Sequence, residues 1–317
     1  MPSWIYPRVV VVLTDAHRES EMTIYSTRYG IVVGVDGSPS SSSAVRWAAR
    51  EAAMRHVGLT LVHGSTPLVA GSSTIIWTAP IPADFVRAQQ EQSERLVDDA
   101  VQMASESAEG VQIHREVIVS APIPTLVDLS KDAQLIVVGR RGTGQLPPVP
   151  LGSVSTAMIH HAHCPVAVIH DEAPAEHAPA SAPVVVGIDG SPASELATAI
   201  AFDEASWRSV ELVALHASCD SDLSGIHALE WGVAEPRAHE ALAERLAGWQ
   251  ERYPDVRVRR VVVFDRPAHH LLEQAETAQL VVVGSHGRGG FAGLLLGSVS
   301  TAVVHAARMP VIVARQR

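Results

Sequence analysis

The chain has 317 residues, 47% of them hydrophobic and 18% charged, long enough for two domains at roughly 100–200 residues each. Lysine and arginine number 24 against 34 aspartates and glutamates, a net charge of −10 with no basic block, which argues against a nucleic-acid binder because such proteins carry a positive footprint. Mean hydropathy is +0.15, but apolar residues come in short bursts such as 135–138 and 280–283, far below the roughly 18 needed to cross a membrane.

Residues 1–27 come first. The apolar run 9–13 is closed by Asp15 without a small-residue cleavage site, a poor signal peptide. With only two cysteines, Cys164 and Cys219, a disulfide framework is excluded, and a reduced, cytoplasmic location is expected. Nothing later in the chain repeats this segment. It is therefore expected to lie outside the fold as a disordered extension, with Met22 as a candidate start.

From residue 31 the elements alternate. The first stretch predicts strands at 31–35, 59–63, 111–119, 135–138 and 165–169, with helices at 40–56, 83–108, 122–132 and 153–162. The second predicts strands at 184–188, 210–216, 256–263, 280–283 and 310–314, with helices at 193–207, 235–252, 267–277 and 298–307. The strands are Val- and Ile-rich without alternation, as when helices cover both faces. Ser38-Pro39 and Ser191-Pro192 mark two helix starts as N-cap and first helical residue.

The two stretches are copies. Ile31 to Pro39 returns as Val184 to Pro192, and Leu151-Gly-Ser-Val-Ser-Thr-Ala157 returns verbatim from Leu296. From Asp36 to Gly139 is 103 positions and from Asp189 to Gly284 is 95, so one indel of eight separates the copies. Between them lies a Pro/Ala-rich joint without large apolar residues, which reads as a semi-extended linker. The expected organisation is a first domain at 28–172, a linker at 173–181 and a second domain at 182–317. The expected fold class is α/β: two tandem, doubly wound, Rossmann-like domains, each a five-stranded parallel sheet of strand order 3-2-1-4-5.

In such sheets ligands sit beyond the carboxyl ends of the strands, which directs attention to the turns after strands one and four. After strand four come Gly139-Arg-Arg-Gly142 and then Gly152-Ser153; the second copy has Gly284-Ser-His-Gly287 and then Gly297-Ser298, with the same nine-residue spacing. The glycines allow close approach of a ligand, and the Gly-Ser pair opens a helix whose free N–H groups favour an anion. A plain loop with Ser153 and Ser298 as ordinary N-caps is the alternative; identical spacing in both copies argues against it.

These motifs resemble the universal stress protein family in its tandem, ATP-binding form, along with Gly34-Val-Asp36, Gly187-Ile-Asp189 and the closing His-Cys-Pro-Val-Ala-Val and Met-Pro-Val-Ile-Val strands. The resemblance covers nearly the whole chain from about residue 28, and the Arg and Ala bias suggests an actinobacterial source. It implies two ATP sites per chain and leaves open an accompanying Mg or Mn. The site residues it implies in the first half are Gly34 and Asp36, Gly139, Arg140, Arg141, Gly142 and Gly144, and Gly152, Ser153, Val154 and Ser155. In the second half they are Gly187 and Asp189, Gly284, Ser285, His286, Gly287, Arg288, Gly289 and Gly290, and Gly297, Ser298, Val299 and Ser300. The aspartates would lie near adenine and ribose, although an Asx turn leading into the first helix explains them equally well; the glycine loops would hold ribose and phosphates. Where the second copy has Arg288 and Gly290, the first has Thr143 and Gln145, so the second site is expected to bind more tightly.

By the same resemblance the chain is a nucleotide-dependent regulator of stress or dormancy responses, with an unidentified regulatory protein partner. The closing strands of the two domains would pair, imitating a homodimer within one chain. The alternative is a slow ATPase or nucleotidyl-transferring enzyme of the same superfamily; it lacks an evident base, and Lys131 is the only lysine. There is no G-x-x-x-x-G-K-[ST] motif, and Gly287-Arg-Gly-Gly-Phe-Ala292 fits a dinucleotide fingerprint but follows the wrong strand. No catalytic residue is assigned. His160, His161, His163 and Cys164 crowd one helix end, but His160 and His161 are adjacent and diverge by about 100° on a helix, so no metal site is assigned either.

Overall fold

The computed structural model describes residues 28–65, 83–144, 151–170, 179–218, 228–288 and 296–315. The N-terminal extension, most of the expected linker, Cys219, Gln145, Gly289 and Gly290 lie outside the described residues. The first half comprises β1 (Ile31–Gly34), α1 (Pro39–Arg55), β2 (Leu59–Gly64), α2 (Ala83–Ser107), β3 (Ile113–Ile118), α3 (Pro122–Leu129), β4 (Leu135–Gly139), α4 (Ser153–His161) and β5 (Val166–Ile169). The second half repeats the order: β6 (Val184–Gly187), α5 (Pro192–Arg208), β7 (Leu212–Ser218), α6 (Ala228–Arg252), β8 (Val258–Phe264), α7 (Pro267–Ala275), β9 (Leu280–Gly284), α8 (Ser298–Ala306) and β10 (Val311–Ala314).

The strand order is β3-β2-β1-β4-β5 in one half and β8-β7-β6-β9-β10 in the other, all parallel within a half. Alternate residues of one strand enter different cores. Ile31 and Val33 join Ala44, Ala48 and Ala52 of α1, whereas Val32 joins Leu126 of α3 and Met158 and Ile159 of α4. Continuous Val/Ile runs in the central strands follow from helices on both faces. The outer strands β3 and β8 instead expose Arg115, Arg259 and Arg260, charges that discourage further pairing at an open edge.

Local signals set most element ends. Ser38 and Ser191 cap α1 and α5, each accepting from the amide three residues on, and left-handed His56 and Ser209 close them. Two expectations fail at helix ends. The helix expected over 235–252 begins at Ala228 and carries Pro236 inside, because a proline ring obstructs the preceding turn without always ending a helix. The helix expected over 122–132 stops at Leu129.

The closing strands pair antiparallel, with Val311 opposite Val168 and Val313 opposite Val166, so the two sheets form one of ten strands. On one face of this seam α1 meets α5 through four charges related by the repeat. Glu51 receives Arg55 Nε at 2.7 Å and Arg208 at 2.5 Å, and Glu204 is paired with both arginines. Both carboxylates are fully buried, and Trp207 lies 4.9 Å over the Arg55 guanidinium. Burial pushes both carboxyls up, and the two sit side by side. For Glu51 the arginines prevail and hold it down at about 2; for Glu204 burial and the Glu51 charge prevail and raise it to about 7.

On the other face the halves cap each other's helices. Arg140 donates to the carbonyl of His305 at 2.9 Å and His170 Nε2 to that of Val304 at 3.1 Å, both at the end of α8. Arg315 donates to Ala162 at 3.1 Å and also to Ile159, at the end of α4. Cations there satisfy free carbonyls and oppose the negative helix end.

Candidate nucleotide site

Each half brings the turn after its first strand against the glycine loop after its fourth, because β1 and β4 are neighbours. Asp36 performs two tasks. Its Oδ1 accepts from the Ser38 amide at 3.0 Å, which is the Asx turn. Its Oδ2 accepts from the Thr143 amide at 3.1 Å, which pins the glycine loop. Asp189 repeats both bonds, to Ser191 at 2.9 Å and to Arg288 at 3.1 Å. The pin explains Gly142 and Gly287: a Cβ at either would fall 2.4 Å from the aspartate oxygen. A second tie comes from the helix start. The Ser38 hydroxyl lies 2.6 Å from Asp36 Oδ1 and 3.2 Å from the Arg141 carbonyl, and Ser191 donates to the His286 carbonyl at 3.1 Å.

The loop then delivers the chain to α4 and α8. Gly152 and Gly297, not the following serines, are the N-caps, and neither helix receives a side-chain cap. The first-turn amides of Ser153, Val154 and Ser155, and of Ser298, Val299 and Ser300, are therefore donors without a partner inside the helix. They face the glycine loop, since Gly152 N–H binds the Arg140 carbonyl at 2.9 Å and Gly297 N–H that of Ser285 at 2.8 Å. Ser155 and Ser300 are buried, and their hydroxyls donate to Gly139 at 2.7 Å and Gly284 at 2.5 Å. They brace the strand exit, leaving their amides for a ligand.

In the first half these parts line a cleft of about 370 Å³. Gly34, Asp36, Gly139, Arg141, Gly142, Gly144 and Gly152–Ser155 all line it. Arg140 is not among the lining residues: its guanidinium crosses the seam to α8, as described above, and donates to the His305 carbonyl. In the second half Gly187, Asp189, Gly284, Ser285, His286, Gly287, Arg288 and Gly297–Ser300 hold the matching positions. There Ser285 is buried with its hydroxyl 3.2 Å from His286 Nδ1, and Arg288 is exposed.

Sequence reading missed the apolar end of the cleft: Val35, Val62, Gly64, Pro122, Thr125, Leu126 and Val138. The repeat carried a signal, because Pro122 and Leu126 recur as Pro267 and Leu271. Leu126 and Leu271 pack so closely on strand one that a Cβ at Gly34 or Gly187 would meet them at 3.1 Å. His63 and His216 also recur, each binding the carbonyl after strand one at 2.7 Å through Nδ1. The His160 and His161 rings lie 6.2 Å apart, but among the described residues no three His, Cys, Asp or Glu side chains are placed to hold a metal. Nor is any helix among them long and apolar enough to cross a membrane.

Comparison with known proteins agrees with this arrangement. The universal stress protein family model matches residues 30–170 and again 182–315. Universal stress protein Rv2623 of Mycobacterium tuberculosis is 53% identical over 299 residues, covering 93% of this chain and 99% of the relative. Universal stress protein Rv2005c of the same organism is 50% identical, covering 91% and 98%. Among solved structures, a universal stress protein from Archaeoglobus fulgidus shares the fold at a TM-score of 0.67 and 20% identity, covering 91% of this chain and 98% of that one. The chain therefore belongs to the universal stress protein family and carries two of its domains in tandem.

Proposed function

We propose that each half binds one ATP and that the chain acts as a nucleotide-dependent regulator of stress or dormancy responses through an unidentified protein partner. The observation that carries this reading is the uncapped start of α4 and of α8 beside a glycine loop pinned by Asp36 or Asp189. Free amides and a positive helix end suit a phosphate chain, and the apolar wall of Val35, Val62 and Leu126 suits a base. Mg or Mn would accompany the phosphates, with phosphate oxygens and water among its ligands.

Enzymatic turnover is the weaker reading. Phosphoryl transfer needs a positioned base and a cationic clamp. Asp36 is committed to the loop and Arg140 to α8, and among the described residues of the two glycine loops the arginines left are Arg141 and Arg288. The test is calorimetric titration of nucleotide-free protein with ATP, for the wild type and for Gly152→Glu and Gly297→Glu. The added carboxylate meets a phosphate at about 4 Å, worth roughly 4 kcal/mol at an effective dielectric near 20, or nearly a thousandfold in affinity. Two sites per chain and the loss of one in each variant are expected; unchanged binding in both variants overturns the assignment.

A further inference from the structure

The two halves differ where their second strands end, at Gly64 in one and Ala217 in the other. Gly64 ends β2 at the apolar end of the first cleft. A Cβ there would fall 2.8 Å from the Cα of Pro122 and 3.1 Å from its Cβ and nitrogen, closer than packed atoms approach. The absent side chain is what lets the first turn of α3 lie directly against the end of β2. At the same place in the repeat stands Ala217, so Pro267 cannot take the position that Pro122 takes.

The backbone beside it differs accordingly. Ala121, before α3, is extended at φ −61 and ψ 136. Its counterpart Arg266, before α7, has φ 42 and ψ 54, and Asp265 has φ 56. Two successive non-glycine residues in the left-handed region are strained and persist only where their surroundings impose them. The ladder changes at the same point: β2–β3 ends with Gly64 opposite Ile118, whereas β7–β8 continues to Ser218 opposite Phe264. Thr125, in the first cleft, gives way to His270, whose Nδ1 binds Glu273 at 2.8 Å.

We propose that Gly64 and Ala217 make the two halves select differently at the base of the nucleotide: a closed wall in the first half admits only the plain purine edge, and a set-back wall in the second accepts a larger one. This rests on the nucleotide reading above. With phosphates at the start of α4, the base runs from β4 across β1 to the end of β2, two strand spacings of roughly 4.8 Å each. The edge that arrives at Gly64 is the one opposite the ribose, which carries N1 and the exocyclic amine.

The probe is 1,N6-etheno-ATP, whose extra ring enlarges that edge, titrated against ATP. Gly297→Glu leaves the first half to be measured alone, and Gly152→Glu the second. The first half is expected to bind the etheno analogue at least tenfold more weakly than ATP, and the second to bind the two within about threefold. Gly64→Ala should let the first half accept the analogue, and Ala217→Gly, which removes a methyl group and lets the first turn of α7 move in against the end of β7, should make the second half reject it. Equal discrimination in both halves, or discrimination that ignores the two substitutions, overturns the proposal while leaving the nucleotide assignment standing. Failure of both halves to bind ATP itself overturns the assignment and the proposal together.

Discussion

Removing one arginine from the buried seam should cost far more than truncating an exposed charged side chain. In Arg208→Met, Glu51 and Glu204 keep their positions, fully buried, but share only Arg55. The seam then holds one uncompensated negative charge, and breaking a buried pair in this way costs about 3–5 kcal/mol. For a domain of this size each kcal/mol lowers Tm by roughly 2–4 °C, so a fall of roughly 6–20 °C is expected. The measurement is urea and thermal unfolding from pH 6 to pH 9; losing the Arg208 charge raises the Glu204 carboxyl further, so proton uptake relieves part of the cost and the loss should be smaller at pH 6 than at pH 9. Replacing all four charges by apolar residues of similar size, with Glu51→Leu, Arg55→Met, Glu204→Leu and Arg208→Met together, should be neutral or stabilising, because the desolvation cost disappears with the pair. A loss under about 1 kcal/mol for Arg208→Met, the level of a solvated surface pair, would refute the buried seam.

The seam also sets a pH dependence. Glu204, raised to about 7, contributes stability that is present below its unfolded value and lost as pH rises through 7; Glu51, held at about 2, contributes stability that is lost as pH falls from 4.5 toward 2. Between pH 5 and 8 the wild type should lose up to about 3 kcal/mol that Glu204→Gln does not lose, and parallel urea profiles for the two would contradict it. Each half expressed alone exposes the β5 or β10 edge and should self-associate in sedimentation experiments; well-behaved monomers of either half would count against the edge pairing as the driving contact. Arg140→Ala should lower stability by about 1–2 kcal/mol through the uncapped end of α8 and leave ATP stoichiometry at two, whereas loss of the first site would restore Arg140 as a ligand contact.

Much of this protein was legible in its sequence because the information is local or repeated. Burial on both faces requires strands that are apolar at every position, and 135–138 and 280–283 say so without any tertiary contact. Ser38-Pro39 and Ser191-Pro192 mark helix starts by backbone chemistry alone. The duplicated spacing from Gly142 to Gly152, and from Gly287 to Gly297, pointed to a glycine loop that runs into a helix start without a side-chain cap. Tertiary structure decided what depends on where a long side chain ends or on which residues face each other across the fold. Arg140 sits in a glycine-rich loop, yet its guanidinium spans the seam to His305, a direction that no neighbour in sequence prescribes. Glu51, Arg55, Glu204 and Arg208 look like ordinary charged helix residues until the antiparallel pairing of β5 with β10 places α1 against α5 and buries all four. Gly64 and Ala217 differ by one methyl group, which acquires a consequence only where a strand end meets the first turn of a helix, because crowding is a property of two surfaces and not of one residue.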